Sequence, residues 1–500
     1  MRFSSRFLAA TSALWTAFSF SSVQADSLEA VEGQAALTFK YSTSKPNAKN
    51  WIGVYYSTGG GPVDQEYVSG ALVWDYIVDS QGTITLPSSN LEPGQYTAFF
   101  LANGGYKWLA DPVNTYISYE PGSNLRFLVD KMTLANGRQG DSYSQKISGL
   151  IGGGGGSITF SKQSGPSWVK VDSNGVLSGT PSSSGDATVA VLAGNSEYSA
   201  TATFTIPVRP SRSPLVKTLS VLTTNLWHGG TQVNDYHEKQ VRFLASSGAD
   251  IVGIQEDQDG RHVRRLSGAL GWHYWSSNGD VGILSKYPIR EQYTAIARIS
   301  GGANIALDGD AQQINFYSAH LGYNPYGPYD ICFEKLSKER LYRNEEASGR
   351  TPQIKKTLEY MGTHLSKADQ VPVILVGDFN APSHLDYTSD TADQHCGYSG
   401  VQWPTSVLPK QKGLIDSYRV ANPNPAVSPG LTWSPINKQN TEWNKPEPQD
   451  RIDFILHKGK GLKVIASRTV VVGRPSQDYS DNEWTSDHAA VLTIYELNRF

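Results

Sequence analysis

One apolar run that stops abruptly on polar residues constrains this chain more than any other feature: Val371-Pro-Val-Ile-Leu-Val-Gly-Asp-Phe-Asn380. A buried strand that ends by presenting a carboxylate and a carboxamide makes a poor core element. It is a good way to hold two polar groups rigidly at a sheet edge, where layered α/β folds keep their active sites. The pattern recurs. Leu219–Thr224 ends at Asn225, Ile251–Gln255 at Glu256, and Ile314–Ala319 at His320. The strand expected at Ile452–Leu456 is introduced by Asp450 and carries Asp453, and Ser486-Asp487-His488 precedes the apolar Ala489–Ile494. Each strand meets its loop at a residue able to bind metal or handle protons.

These strands alternate with helical patterns from Leu215 onward. His237–Ser247 reads as a helix with Val241, Leu244 and Ala245 on one face, and Gln353–Ser366 as another with Ile354, Leu358, Met361 and Leu365 at helical spacing. Residues 215–500 therefore predict a layered α/β domain with room for a substantial core. The chain of 500 residues suits about three domains. Residues 26–120 read as short strands punctuated by turns, with no convincing helical period, and predict a β-sandwich. Residues 121–208 predict a second β-module, and 209–214 a linker rich in Pro, Arg and Ser. Gly152 to Gly156 is expected to be a flexible loop, because a P-loop would need Lys-Ser/Thr and a following helix.

The N-terminus has the form of an export signal: Arg2 and Arg6, a short apolar stretch from Phe7 to Phe20, then Val23-Gln24-Ala25, with cleavage expected after Ala25. No later segment is apolar and long enough to span a bilayer, so the mature chain is expected to be secreted and soluble. Cys332 and Cys396 are the only cysteines, and one disulfide is expected in an oxidising compartment. No Asn-x-Ser/Thr sequence occurs. The net charge of -3 gives no argument for a chain that simply coats nucleic acid.

The residue types suit phosphoester hydrolysis. Glu256, Asp378, Asp453 and Asp487 are hard oxygen donors of the kind Mg2+ or Mn2+ prefers. Two cysteines are too few for a soft site, and no HExxH helix occurs. A phosphodiester needs an activated water, a cation against the non-bridging oxygens, and help for the leaving oxygen.

The strings "LSVLTTNLWHG", "DIVGIQE", "GILSKYPI", "YSAHL", "VILVGDFNAPSHLD", "LTW", "DRIDFIL" and "SDHAAVL" follow one another in this order. In that order the chain from Leu215 to Phe500 resembles the endonuclease/exonuclease/phosphatase superfamily, which includes DNase I-like nucleases, neutral sphingomyelinases and inositol polyphosphate phosphatases. The resemblance implies a four-layered α/β sandwich of DNase I-like form and metal-dependent phosphoester cleavage. It implies that Glu256 is the main metal ligand, with Asn225 and Asp487 beside the metal. It implies that Asp378 orients or deprotonates water, that Asn380 holds a phosphate oxygen, and that His488 and His320 act at the scissile phosphate. His320 matches the DNase- and sphingomyelinase-like branches; the abasic-site branch has Tyr there. Asp450 and Asp453 both compete to orient His488. Residues three apart on a strand face opposite ways, and Asp453 is the favoured choice, leaving Asp450 solvent-facing or capping a turn. The region "WIGVYY…LVWDY…LPSSNLEPGQYTAFFLANGGY" resembles the β-sandwich module ahead of some secreted phosphoesterases. The "SGTP" turn at 178–181 is similar to those of immunoglobulin- or cadherin-like repeats.

Substrate identity stays open at this level. Tyr323, Tyr326, Tyr329 and Phe333 follow His320 and form an aromatic segment able to stack bases, touch a lipid headgroup or simply pack. Arg261, Arg264 and Arg265 face either substrate phosphate or solvent. Arg261, Tyr326 and Asp450 are the candidate substrate-binding residues. His228, His384 and Asp386 read as loop residues, and Trp227 and Trp433 as packing. "GDFNAP" departs from the "GDxNYR" of the inositol-phosphatase branch. The expected activity is hydrolysis of phosphodiester or phosphomonoester bonds on small molecules, lipid headgroups or nucleic acid. The alternatives are a DNase I-like nuclease, a sphingomyelinase-like phospholipase C, and a non-catalytic extracellular binding protein. The N-terminal modules, with Trp51, Trp74 and Trp108, are candidates to bind carbohydrate, cell surface or lipid.

Overall fold

The computed structural model describes residues 26–498 apart from 32–36, 58–60, 89–90, 92–93, 118–123 and 155–156. The expected export signal lies outside the described residues. No helix among them is long and apolar enough to cross a membrane.

The first module is all-β. A three-stranded sheet (Ser27–Ala30, Leu37–Ser42, Gln81–Leu86) faces a four-stranded one (Val73–Ile77, Asn50–Tyr56, Gly94–Leu101, Val113–Ile117). Alternate residues such as Ile52 and Val54 pack inward against Phe39 and Phe100. Trp51 and Trp108 are packing residues on the other face of the four-stranded sheet, with Tyr55, Phe99 and Leu101, while Trp74 stays half exposed at the edge.

The second module is an Ig-like sandwich. Its long hairpin, Gly185–Gly194 and Ser199–Arg209, alternates buried and exposed residues along its length. This module shares one hydrophobic core with the domain that follows. Ile147 and Leu150 join Val241, Leu244, Leu266 and Ala269 from two helices of that domain. Gly149 fits because it has no side chain: a Cβ there would meet the carbonyl oxygen of Gly268 at 2.2 Å. Gln145 Nε2 donates to Gly271 O at 2.8 Å, and Arg138 pairs with Asp308 at 2.7 Å. The expected linker at 209–214 starts on the last residue of that hairpin strand and continues as a turn tied down at Ser213, whose carbonyl accepts from Arg138. The glycine run begins in a strand, Ile151–Gly152, where Gly152 packs against Leu128.

The third domain has four layers. One six-stranded sheet runs His273–Ser276, Val281–Ser285, Ile251–Gln255, Thr218–Asn225, Ala490–Leu497 and Leu462–Val470. The other runs Ile289–Gln292, Ser300–Asp310, Gln313–His320, Val373–Asp378, Asp453–Lys458 and Ile415–Asp416. Val221, Ile251, Ile283 and Val491 of the first meet Ile305, Phe316, Ile374 and Val376 of the second between the sheets. Strands buried on both faces explain their continuous apolar runs. Helices Tyr236–Ser246 and Arg261–Leu270 cover the outer face of the first sheet, and Arg350–Tyr360 with Gly362–Ser366 that of the second. The single helix expected at Gln353–Ser366 is thus two, Arg350–Tyr360 and Gly362–Ser366, separated at Met361.

Candidate active site

Register brings the polar strand ends together. In the second sheet His320, Asp378 and Asp453 are direct neighbours across three adjacent strands. In the first sheet Asn225 lies beside Gln255, with Glu256 one residue beyond. Asp378 needs a glycine before it: a Cβ on Gly377, whose φ is +146°, would sit 1.8 Å from the Ala319 carbonyl. The site is therefore a seam where the ends of two packed sheets meet.

Asp378 is the hub and is buried. Its Oδ1 accepts from the Asn380 amide at 2.8 Å. Its Oδ2 lies 3.1 Å from Asn225 Nδ2, 3.4 Å from His320 Nε2 and 3.7 Å from His488 Nε2. Burial works against its charge, but His488 and His320 outweigh burial and hold it below the ordinary carboxylate range. Each histidine has its own carboxylate behind it. Asp453 Oδ2 lies 2.9 Å from His488 Nδ1, and Asp280 Oδ2 lies 2.5 Å from His320 Nδ1. Burial alone would depress the His488 imidazole; Asp453 and Asp378 instead lift it to about 10. His320 is likewise raised well above its usual value, with Asp280 and Asp378 overcoming burial. Two imidazolium groups thus flank one carboxylate.

A second group of oxygens sits beside this one. Glu256 accepts from Asn225 Nδ2 at 3.0 Å and from the backbone N–H of His228. Asp487 is buried, its Oδ1 has no hydrogen-bond partner, and burial with the nearby charges of Glu256 and Asp378 pushes it up to about 7 against the pull of His488. Asn225 lies between the two groups. Its carboxamide nitrogen faces Glu256 and Asp378, while its oxygen accepts from Trp227 N at 2.8 Å. It orients carboxylates. Asp378, Asp453 and His488 lie close enough together to hold a cation. Glu256 and Asp487 offer a second set of hard oxygen donors on the neighbouring side.

Other expectations are corrected. Asp450 neither faces solvent nor caps a turn: it is buried, bridges to Trp433 through its backbone, and accepts from Tyr387 OH at 3.1 Å. Its carboxylate serves Tyr387 and His395 instead of His488. Arg265 does not face substrate, because it is buried among His237, Gln240 and His262. Arg264 reaches Asn278, and Arg261 is exposed on the first turn of its helix. Asp386 is no ordinary loop residue: it is a buried anion between Arg419 and Arg451. His384 lines a pocket of about 190 Å³ behind Phe379 and Phe454, and bonds Ser406. Trp433 packs edge-on to His488 at 5.1 Å, and Trp227 against Tyr479 at 4.7 Å. Tyr326 is buried beside the site.

The residue that sequence reasoning missed is Asp280. It opens the strand Val281–Ser285 after an Asn278-Gly279 turn, which is itself a polar strand end. Thr432 and Ser486 stand in the quoted strings "LTW" and "SDHAAVL" without an assigned role. Thr432 Oγ1 accepts from the amides of Ile452 and Asp453, and Ser486 Oγ donates to Asn225 O at 2.7 Å, tying both sides of the seam.

Residues 222–488 match the model of the Endonuclease/Exonuclease/phosphatase family, and residues 127–209 match an Ig domain family. An uncharacterized protein of Caenorhabditis elegans, F14F9.5, is 32% identical over 289 residues, which span 55% of this chain and 91% of that protein. Among solved structures, truncated Caenorhabditis elegans TDP2 is similar over 56% of this chain and 98% of its own, at 14% identity and a TM-score of 0.37. The human Nocturnin catalytic domain with bound sulfate is similar over 57% of this chain and 97% of its own, at 13% identity and a TM-score of 0.35.

Proposed function

Because this chain belongs to the endonuclease/exonuclease/phosphatase family, we propose that it is a divalent-metal-dependent phosphoesterase that cleaves phosphodiester or phosphomonoester bonds by in-line attack of water. The observation that carries this reading is the pair of carboxylate-backed histidines, Asp280–His320 and Asp453–His488, on either side of Asp378. Two imidazolium donors converging on one buried carboxylate suit an anionic tetrahedral group next to an activated water.

Asp378, ionised at rest, accepts a hydrogen bond from the attacking water and takes its proton as the water oxygen bonds to phosphorus. His488 Nε2, protonated at rest, donates to the phosphoryl group and gives its proton to the leaving oxygen as the bond from that oxygen to phosphorus breaks. His320 Nε2 stabilises the charge that develops on the other side. Asp453 and Asp280 keep the two rings in the required orientation. The unpartnered Asp487 Oδ1 and an all-oxygen donor set fit Mg2+ or Mn2+, which Glu256 and Asp487 would hold. When bound, such an ion supplies positive charge against the non-bridging oxygens. A secreted setting is part of the proposal, supported by the disulfide between Cys332 and Cys396.

A nuclease is the second reading, favoured by one observation. Phe333 and Trp443 stack at 5.1 Å and 24°, with Lys445 Nζ 5.4 Å from the Phe333 ring, on a rim linked through Tyr329 and Glu447 to Trp433. Such a rim suits a base beside a phosphate.

Purified protein is assayed on bis-p-nitrophenyl phosphate, sphingomyelin and plasmid DNA, with Mg2+ or with EDTA. Metal-dependent turnover that Asp378→Asn and His488→Ala abolish is expected. Turnover indifferent to EDTA and to both substitutions would sink the reading, and the preferred substrate separates its branches.

A further inference from the structure

Tyr326 is a phenol held in place with nothing to bond. It caps the helix Gly327–Cys332, its ring packs edge-on to Tyr329 at 4.9 Å, and the residue is only 9% exposed. Its hydroxyl oxygen is buried and has no hydrogen-bond partner. Leaving a buried hydroxyl unpaired costs about 1–3 kcal/mol, and native structures seldom tolerate it without a reason.

The surroundings supply the reason. Asp450, Glu447 and Asp378 lie within electrostatic reach of the phenol and, with burial, keep it protonated. Each of these carboxylates already accepts at least one hydrogen bond. Asp450 Oδ1 takes Tyr387 OH. Glu447 Oε1 takes Tyr329 OH and Trp433 Nε1, and its Oε2 takes Asn440 Nδ2. Asp378 takes Asn380 N and Asn225 Nδ2.

The segment that carries Tyr326 is also fixed from behind. The buried Arg350 donates to the carbonyls of Gly322, Tyr323 and Pro325 while paired with Glu345. Cys332 at the far end of the helix is joined to Cys396. The backbone on either side of the phenol is therefore held in place.

We infer that Tyr326 is a substrate ligand whose hydroxyl donates to an oxygen of the bound phosphoester beside Asp378. The inference rests on the phosphoesterase reading above, and it goes further by assigning the phosphate a contact that neither histidine nor metal supplies.

The test is Tyr326→Phe in the full chain, read three ways: kcat/KM on bis-p-nitrophenyl phosphate with Mg2+, affinity for inorganic phosphate by calorimetry, and Tm. Expected are a fall of about 10- to 100-fold in kcat/KM, phosphate binding weakened by about tenfold, and a Tm unchanged or raised, since no bond is lost on folding. Unaltered kcat/KM with unaltered phosphate affinity overturns the inference. So does a Tm lowered by several degrees, which would mark the hydroxyl as structural. If the wild-type protein hydrolyses no phosphoester, the broader reading fails on its own, and the phosphate-binding arm still decides whether Tyr326 is an anion ligand.

Discussion

Asp453 opens a strand of one sheet and His488 lies two residues before a strand of the other, and their 2.9 Å contact is made across the seam where those sheets meet. Asp450, three residues earlier, is turned to Tyr387. Asp453→Asn should therefore lower kcat by about 100-fold or more, the usual scale for losing an oriented acid–base group. Asp450→Asn should keep most of the turnover and act on Tm. Steady-state kinetics and thermal denaturation on the two variants check this; equal kinetic losses would contradict the assignment.

Crowded carboxylates predict stabilisation by metal. Asp487 is pushed up to about 7 in a pocket it shares with Glu256 and Asp378. A cation held there relieves the repulsion, so Mg2+ at a hundredfold excess over its Kd should stabilise the fold by about 2.7 kcal/mol. Glu256→Gln with Asp487→Asn should erase that increment. Differential scanning calorimetry with Mg2+ and with EDTA reads it.

His457 predicts a pH-dependent difference. Its ring is buried against Ser417, and burial depresses it to about 4 from an ordinary 6.5. The folded state releases the proton that the unfolded state keeps, so this contribution is complete above pH 6.5 and is lost as pH falls towards 4. It amounts to about 3 kcal/mol. Asp257 and Asp487, raised by burial, act in the opposite direction over the same range and cancel when two variants are compared. Stability of wild type minus that of His457→Asn, from urea titrations at several pH values, should fall across that window. A flat difference would refute it.

The disulfide closes a loop with a sequence separation of 64 and pins the helix that follows Tyr326. The chain-entropy account assigns such a closure about 4 kcal/mol. Replacing both cysteines by Ser should lower Tm and weaken phosphate binding together. A fall in Tm alone would show that the helix keeps its place without the bridge.

Deletions should distinguish the two β-modules. Removing residues 26–120 takes away a module with its own core. Removing 26–208 strips Ile147 and Leu150 from Val241, Leu244 and Leu266 and bares an apolar face. The longer deletion should aggregate or lose several degrees in Tm, visible by light scattering and thermal melts, whereas the shorter should not.

The strand ends were readable because a polar residue closing an apolar run is a one-dimensional signal, as at Asn225, Glu256, His320 and Asp378. Asp280 carried the same signal more faintly, since the preceding Asn278-Gly279 looks like ordinary turn chemistry. The choice between Asp450 and Asp453 could not rest on alternation, because the strand begins only at Asp453 and Asp450 lies on another bridge. Arg265 misled because helical spacing shows a face without saying what covers it. The same gap concealed the shared core: the apolar stripe of His237–Ser247 required a partner, and nothing local named the Ig-like module.

Gly149 has a practical corollary for anyone recombining these domains. With no room for even a methyl group between its turn and the helix Arg261–Leu270, a foreign Ig-like module spliced in at 209–214 would have to reproduce that fit atom for atom. Chimaeras should be cut ahead of Leu125, and the chain from there onward treated as a single transplantable cassette.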